Sequence, residues 1–126
     1  MLTPKEIAYW KNLILRHDRG LVSKKEFTRI RKKWMNQLIQ IMGLEKADYD
    51  LRYNAGGPAV MGEVTLHTDK VYVQLLDSQC GPIMFRTVTG RKDYSGGANH
   101  WGDFAEVEDI EKFARNLKRI MERDQV

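Results

Sequence analysis

Residues 90–101 of this 126-residue chain read GRKDYSGGANHW, a dense mixture of groups that can hold an anion and stack a flat ring. Gly96 and Gly97 permit positive φ and let backbone N–H groups approach a ligand without an intervening Cβ. Successive N–H groups in such a turn form an anion-binding concavity. Arg91 and Lys92 add positive charge, Tyr94 and Trp101 offer faces for base stacking, and Asn99 and His100 supply donors and acceptors. The set suits a nucleotide-like ligand. It matches neither the P-loop GxxxxGK[ST] nor the dinucleotide GxGxxG pattern. The bland alternative is a long connection whose glycines make turns and whose Trp101 plugs the core.

A second stretch, RYNAGGPAVMGE at 52–63, repeats the theme. Gly56, Gly57 and Pro58 form a turn by composition, and Arg52 and Asn54 precede it on one strand face. With Arg86 on a later strand, the two glycine-rich segments are expected to meet at one sheet end and enclose a pocket. Arg52, Arg86, Arg91 and Lys92 would then face phosphate.

Other chemistry is less well supplied. Glu63, His67 and Asp69 share strand parity, and His67 or His100 with Glu63 is the best acid–base set for an enzyme acting on a nucleotide. Residues at i and i+2 on a strand stand roughly 7 Å apart, and the spacing fits no helical metal motif. No metal site and no cofactor are expected. Cys80 is the one cysteine, which excludes an internal disulfide and fits a reducing compartment. As a thiolate nucleophile it would need a nearby histidine; packing is the ordinary role.

These residues must be positioned by seven elements in the order α-α-β-β-β-β-α. Thr3, Pro4 and Glu6 read as N-cap, N1 and N3 of a first helix, which carries Ile7, Trp10 and Ile14 and ends near His17. Ser23 and Glu26 read as the capping box of a second helix, with apolar stripe Phe27, Ile30, Trp34, Leu38 and Ile41 and with Gly43 at its end. Its other face holds Lys25, Arg29, Lys32 and Lys33. Tyr49, Leu51 and Tyr53 alternate with Asp50, Arg52 and Asn54 on a first strand.

A hairpin follows, expected to turn at Thr68-Asp69 and to pair Leu66 with Val71 and His67 with Lys70. That register sends Val64, Leu66, Val71, Val73 and Leu75 to the core. It sends Glu63, Thr65, His67, Lys70, Tyr72 and Gln74 to a polar face. In the next strand Ile83 and Phe85 face the core, and Met84 and Arg86 do not. A last helix spans about Val107–Glu122.

The expected fold is α+β: an N-terminal helical hairpin (1–46), an antiparallel sheet of about four strands (47–89), a Gly-rich loop (90–106) and a C-terminal helix (107–126). The helices would cover one sheet face, all within one domain.

Composition is that of a globular chain, 42% hydrophobic and 30% charged. The N-terminus lacks a secretory pattern, so a cytoplasmic protein is expected. The net charge of +4 is uneven. Residues 1–46 carry 11 basic and 4 acidic side chains, and the remainder 10 and 13. The basic half could meet nucleic acid non-specifically through Lys25, Arg29, Lys32 and Lys33, or an acidic protein.

RYNAGGPAVMGEVTLHTDKVYVQL together with MFRTVTGRKDYSGGANHW, within residues 51–101, resembles a family of small uncharacterised proteins of bacteriophages and prophages. The resemblance implies a counter-defence role, because small viral proteins often block a host defence protein or sequester a nucleotide signal between subunits. The leading expectation is a non-enzymatic, homo-oligomeric binding protein for a nucleotide-like or phosphate-bearing ligand. The alternative is a protein–protein inhibitor of a host defence complex, similar to an anti-CRISPR protein.

Overall fold

The computed structural model describes residues 1–16, 21–54, 56, 62–78, 80–93 and 97–123. Helix α1 runs over Pro4–Arg16 and α2 over Leu21–Met42. A single 3₁₀ turn at Lys46–Asp48 leads into the sheet. Its strands are β1 (Tyr49–Tyr53), β2 (Val64–Thr68), β3 (Val71–Ser78), β4 (Gly81–Thr87) and β5 (His100–Gly102). Helices α3 (Phe104–Glu108) and α4 (Ile110–Arg123) close the chain. The five strands pair in sequence order, all antiparallel. The fold is α+β, with two N-terminal helices and C-terminal helices packed on the sheet.

The capping box of α1 is present: Thr3 N donates to Glu6 Oε1 at 2.9 Å, and Glu6 N donates to Thr3 Oγ1 at 3.2 Å. Helix α2 begins two residues earlier than its expected cap, so Ser23 lies in its first turn. The sheet has a fifth strand where a loop was expected. The last helix is two helices. Asp103 caps α3 by accepting from Glu106 N, and the chain breaks at Asp109, whose Oδ1 accepts from Lys112 N and starts α4.

One sheet face and the helices share a single core. Val64, Leu66, Val71, Val73, Leu75 and Ile83 are wholly buried against Trp10, Phe27, Trp34, Leu38 and Phe113. This face follows the expected alternation. Ile41 does not follow the stripe of α2; it is 41% exposed, and Met35 and Ile39 are buried instead. Two indoles pin the helices by satisfying N–H groups that burial would otherwise strand. Trp10 Nε1 donates to Leu76 O at 2.7 Å, tying α1 to β3. Trp34 Nε1 donates to Val107 O at 3.0 Å, tying α2 to α3.

The β2–β3 register is shifted from the expectation. His67 pairs with Tyr72 and Leu66 with Val73, so the two-residue turn is Asp69-Lys70 rather than Thr68-Asp69. Thr68 fixes it: its Oγ1 accepts from Val71 N at 2.9 Å and from Lys70 N at 3.2 Å. The slip is two residues, which keeps every strand side chain on its expected face. Lys70 moves into the turn and is exposed.

Arg31, like Lys24, is a buried cation that the helix pattern concealed. It is 1% exposed, four residues after Phe27 and on the same side of α2. Its Nη1 donates to Gly62 O at 2.8 Å and Leu75 O at 3.1 Å, and its guanidinium lies 4.1 Å from the Phe27 ring. Burial lowers its pKa to about 10, against the opposing charge of Asp77. Arg31 thereby anchors the segment that enters β2 beside Glu63.

Candidate functional site

The sheet face away from the core is uncovered in the sense that no described helix packs on it, although Thr65 and His67 there are only 1% and 5% exposed, and the register arranges its side chains in two cross-strand rows. One row runs Asp50, His67, Tyr72, Arg86 across β1 to β4. The other runs Arg52, Thr65, Gln74, Met84, Trp101 from edge strand to edge strand. Arg52, Glu63, His67, Tyr72, Met84, Arg86 and Asn99 line a depression of about 320 Å³ on this face. It joins two cations and a carboxylate to an aromatic ring and to amide and imidazole groups.

Hydrogen bonds between alternate residues of a strand order the floor. Thr65 Oγ1 and His67 Nε2 are 3.0 Å apart, and Tyr72 OH donates to Gln74 Oε1 at 3.2 Å. The His67 ring packs 5.1 Å from that of Tyr72. His67 is 5% exposed, and burial holds its pKa below the ordinary value. Arg52 and then Lys92 push in the same direction, while Glu63 and Asp50 oppose. Arg86 reaches the β5 approach, with Nη1 donating to Asn99 Oδ1 at 3.4 Å and Nη2 to Gly97 O at 3.3 Å.

Of the expected site residues, Arg52, Arg86 and Asn99 come together in this depression. Trp101 is not in its lining: it pairs with Met84 in the register, is 45% exposed, and has its indole beside Gly81 in a neighbouring hollow. Trp101 therefore does not plug the core. His100 lies on the other side of the sheet, paired with Phe85 and stacked on its ring at 5.4 Å. The sheet separates it from His67, so the two imidazoles do not share a site.

Arg91 and Lys92 are directed to carboxylates of the protein itself. Arg91 Nε donates to Asp69 Oδ1 at 3.2 Å and Nη2 to Ala47 O at 2.8 Å, and Lys92 Nζ is 3.3 Å from Asp50 Oδ2. They fasten the 90–93 turn, in which Lys92 has φ 64°, over the β1–β2 end of the sheet.

Gly56 and Gly97, the described members of the glycine pairs in the two segments, stand toward opposite ends of the sheet. Asn54 N donates to Glu63 O just past the Tyr53–Val64 pair, and Asn54 Oδ1 accepts from Gly56 N at 3.0 Å. Gly97 instead abuts Thr87, which pairs with Val71 at the opposite end. Gly57, Tyr94 and Gly96 lie outside the described residues.

Cys80 is exposed at the β3–β4 turn and lines a separate hollow with Ser78, Trp101 and Asp103, where no described histidine contributes. Among the described residues no group of three or more His, Cys, Asp or Glu is placed to hold a metal ion. No described helix is long and apolar enough to cross a membrane.

On the basic face of α2, Arg29 and Lys33 are occupied by acids. Arg29 Nη2 is 3.0 Å from Glu6 Oε2, and Lys33 Nζ is 2.8 Å from Glu6 Oε1. Lys32 lies 3.6 Å over the Tyr53 ring.

Reading by loop composition missed Tyr72 and Met84 as lining residues, and placed His67 and Glu63 only in an acid–base set. Strand parity was the signal available, since it already assigned all four to the polar face. No family model, no curated protein and no solved structure matched this chain in comparison.

Proposed function

We propose that this chain is a binding protein whose uncovered sheet face takes up a phosphate-bearing, nucleotide-like ligand. The observation carrying the reading is the meeting of Arg52 and Arg86 with His67, Tyr72 and Asn99 around one depression on that face. The guanidinium groups would meet phosphate, for which their planar forks are suited. Tyr72 and Trp101 would supply ring faces, and Asn99 a base-reading amide. The ligand is held rather than transformed, because His67 is hydrogen-bonded to Thr65 and stands apart from His100. Within the resemblance to phage proteins, this would remove a nucleotide from a host defence response. Calorimetry with AMP, UMP and cyclic dinucleotides tests the reading. Heat of binding that disappears in Arg52→Ala/Arg86→Ala supports it; no heat with any of them defeats it.

A protein–protein inhibitor is the second reading, favoured by a groove between α2 and α4. Ile41, Met42, Ala114 and Met121 form its apolar lining, with Glu111, Arg115 and Lys118 around them. Ile41→Asp should abolish capture of a host protein if that groove is the contact, while leaving nucleotide binding untouched.

A further inference from the structure

We infer that the uncovered face binds a single-stranded oligonucleotide laid across the strands, rather than one free nucleotide. The inference rests on the reading of that face as a phosphate-binding site and names its ligand.

The row Arg52, Thr65, Gln74, Met84, Trp101 crosses the sheet from one edge to the other in the strand register, with Thr65 buried within it. Four strand spacings make it about 19 Å long. The depression, at about 320 Å³, is at the small end of ligand pockets and accommodates a single nucleotide. Trp101 is outside its lining, yet its row neighbour Met84 is part of that lining. A ligand that occupies the depression and also stacks on Trp101 must be longer than one unit.

Exposure and charge agree with this. Trp10 and Trp34 are buried at 0% and 1% exposure, whereas Trp101 is 45% exposed. The exposed indole at one end of the row offers a stacking platform, and exposed Arg52 at the other end a phosphate contact, about 19 Å apart. Sheets that read single strands in this way stack two or three bases. The acids on the face are partly answered from within: Asp50 is held by Lys92 and Arg91. After burial, Arg52 and Lys92 disfavour ionisation of His67, against Glu63 and Asp50. A protein partner would leave the oligonucleotide arms of the following test blank.

Trp101 is the one described tryptophan open to solvent, so its fluorescence reports stacking directly. The full chain is titrated with UMP and with oligouridylates and oligothymidylates of two, three and six units. The expected result is an affinity at least tenfold higher for the trimer than for UMP, with quenching that disappears in Trp101→Ala. The salt dependence of the hexamer should lose about 0.7 in log–log slope in Arg52→Ala, the share of one single-strand phosphate. Arg52 and Trp101 are exposed, so both variants keep the fold. UMP binding as tightly as the hexamer overturns the inference but leaves the sheet-face reading standing. No binding by any of them, or hexamer binding unchanged in both variants, overturns both.

Discussion

His67 and His100 face opposite sides of one sheet, His67 beside Tyr72 on the uncovered face and His100 against Phe85 on the core face. The parity of β2 and β5 imposes this arrangement, and it divides what the two residues can do. His100→Ala should lower stability by about 1 kcal/mol, the scale of a lost ring pair, and leave ligand affinity unchanged. Urea denaturation with parallel calorimetry checks both halves.

For His67 the test is pH. Burial, Arg52 and Lys92 set its folded pKa below 6.5, against Glu63 and Asp50. Between the two values the unfolded chain binds a proton that the folded chain refuses, so stability falls as pH drops below about 6.5. It stops falling on this account once folded His67 itself titrates. An imidazole proton signal titrating at or above 6.5 in the folded protein would contradict the geometry.

Arg31→Ala should destabilise by about 2–4 kcal/mol, because the Gly62 and Leu75 carbonyls lose their donor inside the core. Arg31→Met refills volume without restoring the donor and should recover only part of the loss. Thermal unfolding of both variants checks the order. A Met variant as stable as wild type would show that packing on Phe27, rather than hydrogen bonding, is the role of Arg31.

The core face of the sheet was readable because Val64, Leu66, Val71, Val73 and Leu75 recur with period two. The turn was not, because a slip of two residues preserves that period, and Thr68 decides it through its hydroxyl. Strand β5 was hidden for a different reason. Three residues, His100–Gly102, become a strand only through pairing with β4, not through local propensity. Trp101 was weighed as a core residue by type, and its place opposite Met84 follows from that same pairing. Arg91 and Lys92 read as ligand contacts because their partners Ala47, Asp50 and Asp69 are more than twenty residues away in sequence. Arg52, Arg86 and Asn99 were legible as candidates from their residue types, but the place where they meet required the register.

Gly97 has φ +74°, and a Cβ there would lie 2.5 Å from Thr87 O. Gly43 has a similar φ of +69° with nothing within 4 Å of the added atom. Gly43→Ala should therefore cost about 1–2 kcal/mol, the left-handed backbone alone. Gly97→Ala should cost more, because the loop must also move off Thr87. That movement withdraws the Gly97 carbonyl from Arg86, so ligand affinity should fall as well. Equal stability losses in the two variants would mean that the loop shifts freely.

Glu6 draws α1 and α2 together by accepting from Thr3 N and pairing with Arg29 and Lys33. The Lys33 ammonium, more than any other neighbour, takes its pKa from 4.5 to about 2. A carboxylate lowered on folding adds stability above its unfolded pKa and loses it as pH falls through the folded one. The window here is from about 4.5 down to about 2. Glu26, also lowered by Arg29, titrates over an overlapping range, so the total acid slope does not isolate Glu6. The difference between wild type and Glu6→Gln does. Wild type should be the more stable at pH 7, and the two Tm values should converge as pH approaches 2. A Tm gap constant with pH would assign Glu6 a role in shape alone and remove the charge pairing between the helices.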